Sequence, residues 1–371
     1  MRRSIYWKVI IGLWIFIALF LGAVFLLSSL ADWYIDSITP LWAGTYGRIN
    51  GLVSFSVGEI MLTAGAVLVA ALIILVVIRI FCRGRRFKGF FRGYARTCLA
   101  LFSTVCLIMA MNCVTLYQGS TLDPNPSADG REYSVKELEI LRNYIIEKCN
   151  SLSYGFQRDS EGYLETGYLE GIQEKVKAAL NGISELYPRL SGYYPDAKPM
   201  LYSRLMSQMY MSGYFFPFSM EANYNDMMYT VNYPAVLAHE MAHLHGIIYE
   251  DEANFIGFLA CVRSGDEFLE YSGYMSVLNY VYNAYWDNVV DWQYYASLPQ
   301  TNDLVDTDNI FLTEESWANV EEGAVLDTET VNEVSSALTD ATLKVNGIKD
   351  GMASYSRVVG LLLQYYDGIL Y

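Results

Sequence analysis

Three stretches of this chain contain no charged side chain: Val9 to Ala31, Ile60 to Ile78 and Thr97 to Leu122. Each can supply the roughly 20 apolar residues that cross a bilayer as a helix. The pattern therefore predicts transmembrane helices at about 9–31, 60–78 and 97–119. Arg2, Arg3 and Lys8 precede the first run as they would in a signal peptide, but the run is long and no small-residue cleavage site stands before Asp32. It reads as a retained anchor. Past Leu122 the pattern changes. Pro124, Pro126, Ser127 and Gly130 mark a linker from Leu122 to Gly130. Ser134 and Glu137 have capping-box spacing for a helix to about Cys149, and helical periodicity returns from about Leu164 to Leu186. Further helices are predicted at 267–284, 328–346 and 353–366. Between Leu201 and Val231, Tyr, Phe and Met alternate irregularly with Ser, Gly, Pro and Asn, which predicts one or two strands. The expected fold is mainly α. A membrane domain, 1–122, with three amino-terminal transmembrane helices is followed by a mostly helical α+β domain, 123–371, with a small β element.

Charge follows the same division and orients it. Residues 1–117 carry 11 Lys+Arg and 3 Asp+Glu, whereas the remainder carries 14 and 37, within a net charge of −15. Arg79, Arg83, Arg85, Arg86, Lys88, Arg92 and Arg96 fill the connection between the second and third spans, while Asp32 to Glu59 holds only Arg48. By the positive-inside rule the amino terminus and the basic connection are cytoplasmic, and three spans carry the rest of the chain to the extracytoplasmic side. The expected location is the cytoplasmic membrane, as a multi-pass protein with the lipid bilayer as a partner. So acidic an outer part argues against DNA or RNA as a partner.

The chemistry is concentrated in one place. All three histidines, His239, His243 and His245, lie within seven positions, and His239-Glu240-Met241-Ala242-His243 is the HExxH pattern of zinc hydrolases. Residues four apart share a helix face, so His239 and His243 can converge on one metal with Glu240 beside it as the catalytic base. The pattern is short, and a histidine pair also occurs on ordinary helices. Its setting is that of a short buried helix. Asn232 can cap it, Pro234 can start it, Ala235 to Ala238 are apolar, and Gly246 can end it. Buried imidazoles beside a buried glutamate call for a partner, and a zinc ion is one.

A catalytic zinc takes three protein ligands and leaves a fourth position for water. The third is sought just after Gly246, in Glu250-Asp251-Glu252-Ala253-Asn254-Phe255, which opens a second helix running through Cys261. Glu250 shares a face with Asn254, whose amide oxygen can accept the outer N–H of a ligand histidine. Glu252, the rival third ligand, has Ile256 at the equivalent place. The plain alternative is that these acids only complement the helix dipole. Cys149 and Cys261 of the outer domain can pair or stay free, and no CxxC metal pattern occurs. A tyrosine or Arg204 can be imagined stabilising an oxyanion, yet spacing selects none. Glu59 reads as an interfacial charge. The chain has no internal repeat, no phosphate-binding glycine loop and no nucleophilic serine motif.

These features together resemble a known family. The three spans, Gly213-Tyr214-Phe215-Phe216-Pro217-Phe218 with Glu221-Ala222-Asn223 and Asn225, the HExxH with Gly246, and Glu250 to Phe255 look like the uncharacterised bacterial membrane-protein family called domain of unknown function 3810. Glu250 to Asn254 is also similar to the ExxAD glutamate motif of gluzincin peptidases, whose first glutamate binds zinc. Two departures stand out: only six residues separate His243 from Glu250, and Asn254 replaces the usual aspartate. Gly246 fits the metzincin pattern, but Tyr249 occupies the place of its third histidine, which excludes that assignment. The resemblance implies a zincin-like outer domain and peptide or protein substrates. The expected function is zinc-dependent peptide hydrolysis, with Glu240 taking the proton of water and passing it to the leaving amine. Gly213 to Phe218 is the candidate edge strand for substrate. Two alternatives stand beside it: a peptide-sensing or signalling membrane protein, and an inactive zinc-binding envelope module.

Overall fold

A segment without water must satisfy its backbone amides internally, and the three uncharged runs do so as helices. The computed structural model describes residues 2–82, 84–125, 131–349 and 351–371. Arg83 of the basic connection and Pro126, Ser127 and Gly130 of the expected linker lie outside the described residues. The first run forms α1 (Arg2–Leu26), the second α2 (Val57–Phe81) and the third α3 (Arg85–Met109), whose helical backbone continues to Gln118. All three are long and apolar enough to cross a membrane. Two bounds differ from expectation. α1 ends at Leu26, because Leu27 leaves helical geometry before a separate helix over Ser28–Ser37. α3 begins in the basic connection, so Arg85, Arg86 and Lys88 ride on its first turn.

The chain clusters into two units. One comprises residues 1–120 with 216–221, the other 121–215 and 222–371. Within the first, Trp14 donates to Ser103 (3.0 Å) and Tyr34 to Asn112 (3.2 Å). The Glu221 carboxylate accepts the amides of Val57 (3.1 Å) and Gly58 (2.6 Å) at the start of α2, where unpaired N–H groups and the helix dipole favour an anion. Glu59 is buried in this unit.

The second unit is built on α4 (Val135–Ser153), α5 (Ile172–Gly182), α6 (Tyr233–Leu244), α7 (Glu250–Val262), α8 (Glu267–Trp286), α9 (Thr328–Val345) and α10 (Val358–Tyr366). The capping box of Ser134 and Glu137 is present at α4. α7 is central: α6, α8 and α10 all pack on it, and α8 also packs on α4. Leu237, Met241, Phe255, Phe258, Leu259 and Tyr271 are fully buried there, each contributing about 1.5–3 kcal/mol if its apolar surface were otherwise wet. A three-stranded sheet has the order β1–β3–β2, from β1 (Lys198–Pro199), β2 (Gly213–Phe216) and β3 (Glu221–Tyr224). β1 runs parallel to β3, with Lys198 opposite Asn223. This leaves β2 as an edge.

One buried ion pair ties the loops to this core. Arg158 grips fully buried Asp308 through both nitrogens (2.8 and 2.6 Å), and the hydroxyls of Tyr229 (2.6 Å) and Tyr271 (2.7 Å) satisfy its remaining lone pairs. A charge so far from water is tolerated because every oxygen is paired. Cys149 and Cys261 are buried and free, so they form no disulfide.

Candidate metal centre

α6 carries His239, Glu240 and His243, and α7 begins on Glu250. Asn232 takes the N-cap position of α6, but its side chain does not cap. Its amide donates to the Ile310 carbonyl (2.9 Å), and the Ser272 hydroxyl of α8 accepts the Ala235 amide instead (3.2 Å). Pro234 lies in the first turn. Gly246, in the left-handed region at φ 85°, reverses the chain after Leu244. The return brings α7 onto α6, and Gly257 makes the approach close: a Cβ there would lie 2.9 Å from the Ala235 carbonyl and 3.5 Å from His239 Cβ.

That packing brings three ligand-bearing side chains together. His239 Nε2 lies 3.1 Å from His243 Nε2 and 3.2 Å from Glu250 Oε2, and His243 Nε2 lies 3.8 Å from the same oxygen. Ligand atoms bound at about 2.0–2.2 Å to one tetrahedral ion would stand about 3.3–3.6 Å apart. His239, His243 and Glu250 thus form a group of the size and chemistry that can hold a metal ion. His243 Nδ1 donates to the Ile247 carbonyl (2.6 Å), which leaves the Nε2 lone pair facing the group. Burial disfavours the charged form of His239, but Glu250, Glu240 and Asn254 beside it outweigh this and raise its pKa, and the Asn254 amide nitrogen reaches Tyr280 at 3.5 Å.

The electrostatics fit the same geometry. Burial pushes the Glu240 pKa up to about 8, with the charge of His239 opposing and that of Glu250 reinforcing the shift. Its Oε2 is buried and accepts no hydrogen bond, while Oε1 lies 3.9 Å from His239 Nε2. Burial lowers His243 to about 4 against the pull of Glu250. For Glu250, burial acts upward, but the hydrogen bond to His239, the charges of both histidines and a hydrogen bond from Tyr355 outweigh it and hold the carboxyl below its usual range.

Glu252 stands apart from this group. It is buried, its Oε1 accepts the Leu122 amide (2.8 Å), and burial raises it to about 7. With Asp251, Lys349 and Arg357 it lines a separate cavity of about 370 Å³. His245 is also turned away: its ring stacks on Tyr194 at 4.1 Å and its nitrogens face the carbonyls of Arg189 and Tyr193. Arg204 lines another cavity, of about 620 Å³, with Leu205 and Leu326. Of four neighbours of the centre, Gly213 and Phe215 lie in the segment expected as an edge strand, whereas Tyr280 and Tyr355 carry no signal in their local sequence. Gly213 of β2 presses on Glu240, where a Cβ would fall 2.3 Å from Oε1. Phe215 lies 5.7 Å from the His243 ring. Tyr280 and Tyr355 come from α8 and from the turn before α10; only the tertiary fold brings them here.

A mostly helical chain with three membrane-length helices and a His-His-Glu group able to hold a metal defines the class. The chain belongs to the family described as protein of unknown function (DUF3810), whose model matches residues 34–363. No curated protein and no solved structure matches it.

Proposed function

We propose that this chain is a membrane-anchored zinc metallopeptidase acting at the outer face of the cytoplasmic membrane. The observation that carries the proposal is the convergence of His239, His243 and Glu250 on one point with Glu240 beside it. Two imidazoles and one carboxylate are a donor set suited to catalytic zinc, whereas calcium and magnesium favour oxygen ligands alone. When bound, zinc supplies a Lewis acid for a substrate carbonyl and lowers the pKa of the attacking water towards about 7.

The chain's own residues do the rest. Glu240 accepts the proton of the attacking water and delivers it to the leaving amine. Ile247 fixes the tautomer of His243, and Asn254 orients His239. The β2 edge, with Gly213 at Glu240 and Phe215 beside His243, offers backbone groups to an extended peptide. The apolar helices and the basic residues between α2 and α3 support the membrane location and its orientation.

Full-length protein purified in detergent is expected to hold about one zinc per chain. His243→Ala and Glu250→Ala should lose it, and Glu252→Ala should keep it. Hydrolysis of an unstructured protein such as casein should fall about 10²–10⁴-fold in Glu240→Gln with zinc retained. Metal-free wild-type protein, or undiminished hydrolysis in Glu240→Gln, would sink the proposal. Zinc without hydrolysis would favour the peptide-binding or structural module.

A further inference from the structure

Two asparagines singled out in the sequence have no part in the metal group. Asn223 lies in β3 and Asn225 just after it, and both are fully buried. Their hydrogen bonds converge on one stretch of neighbouring chain. The Asn225 backbone amide donates to the Ser212 carbonyl (2.8 Å), and its side-chain amide donates to the Met211 carbonyl (3.2 Å) and the Ser207 hydroxyl (2.9 Å). Its Oδ1 accepts the Met227 amide (3.0 Å). The Asn223 side-chain amide donates to the Tyr214 carbonyl (3.2 Å). The residues on both sides of Gly213 are thereby fastened, and Gly213 is the residue of β2 that presses on Glu240.

We propose that Asn223 and Asn225 are positioning residues for hydrolysis, which hold the backbone around Gly213 so that it keeps the Glu240 carboxylate in place. The inference rests on the reading of Glu240 as the proton carrier beside a zinc ion. Glycine is the least restricted residue in a strand and has no side chain to pack, so its neighbours set its position. Carbonyls two residues apart in an extended strand point to the same side. Those of Ser212 and Tyr214 point to the asparagines, so Gly213 between them turns its own carbonyl the other way and depends on the bonds that flank it. The chain also enters β2 through Tyr210, whose φ of 51° lies in the left-handed region. The Asn225 side chain secures the residue directly after it. On the other side of the contact, one Glu240 oxygen accepts no hydrogen bond. Packing against β2, rather than a donor, therefore confines the carboxylate, and a shift of Gly213 becomes a shift of the proton carrier.

The test measures kcat and KM on fluorescein-labelled casein, zinc content and melting temperature for full-length protein in detergent. The variants are Asn223→Ala and Asn225→Ala, each made in wild type and in Glu240→Gln. Asn223→Ala removes one clamping bond and decides the matter even if Asn225→Ala, which has more bonds to lose, does not fold. Its expected result is a fall in kcat of about 10–100-fold, the scale of a misplaced catalytic group. Zinc should stay at about one per chain, and the melting temperature within about 5 °C of wild type. In the Glu240→Gln background the same change should alter the residual rate by less than about twofold, because the effects of groups that act as one unit do not add. A kcat for Asn223→Ala within about twofold of wild type would overturn the positioning role while leaving the peptidase intact. A loss of equal size in both backgrounds, or a loss of zinc, would also overturn it and assign the amides to the fold. Wild-type protein without zinc or without hydrolysis would remove the reading of the site itself, and the role of the asparagines with it.

Discussion

Glu240 is confined by its neighbours more tightly than its exposed-looking chemistry requires. It is buried, one oxygen accepts no hydrogen bond, and β2 passes so close that a Cβ at 213 would fall on its side chain. The atoms a Cβ at 213 would meet all belong to the Glu240 side chain, Oε1 at 2.3 Å and the carboxyl carbon and Cγ at 2.6 Å. A flexible side-chain end yields more readily than a strand, so Gly213→Ala should displace the carboxylate and leave the fold standing. The three atoms nearest the added methyl all belong to Glu240, none to His239, His243 or Glu250. The variant is therefore expected to keep zinc and to lose hydrolysis by about 10²-fold, the usual consequence of moving a catalytic group by about 1 Å. Zinc content and casein cleavage measured on one preparation decide this. Cleavage at the wild-type rate would mean that Glu240 works from a second position.

The helices of the second unit were legible where their signals are local, and their caps show why. Asp266 caps α8: Oδ1 accepts the amides of Phe268 (3.0 Å) and Leu269 (3.1 Å), and Oδ2 pairs with Lys175 (2.9 Å). Burial pushes its pKa up, but Lys175 and the two amides outweigh this and hold it below 3.8. A depressed carboxyl contributes stability above its unfolded pKa, and that stability is lost as pH falls through the folded value. Asp266→Ala should cost about 1 kcal/mol at neutral pH, and its deficit relative to wild type should shrink below about pH 4. The Lys175 share is small because both side chains are partly exposed. Melting temperatures at pH 7 and pH 3.5 test this, and a constant deficit would show that the charge contributes nothing. The same kind of local signal made the α4 capping box, the Gly246 stop and the start of α7 readable from sequence. The helix expected over 164–186 is cut to Ile172–Gly182 because Gly171 adopts the left-handed region at φ 68°. β1 was not readable: two residues carry no period, and their pairing is set by β3. Within the centre, Glu250 and Asn254 could be placed because they share one helix face with its histidines' partner helix. Tyr355 could not, since its approach depends on α10 docking far along the chain.

Charge and topology of the whole molecule bear on which substrates the centre could meet. The basic residues lie where α2 ends and α3 begins, on Arg79, Arg85, Arg86 and Lys88, while the residues after 117 carry 37 acidic against 14 basic side chains. If these basic residues are retained in the cytoplasm, as the positive-inside rule expects, one further crossing would deliver the acidic residues outside. Cysteines already present allow a direct test. Cys82 is exposed beside the basic connection, whereas Cys149 and Cys261 are buried. Val325, in the second unit, is 95% exposed and offers a site for an added thiol. In intact spheroplasts a membrane-impermeant maleimide should label Val325→Cys in a Cys82→Ser background, and should label Cys82 of the wild type only after permeabilisation. The reverse pattern would place the metal centre in the cytoplasm. Its substrates would then be cytosolic peptides, and the three helices would tether the centre to the membrane without carrying it across.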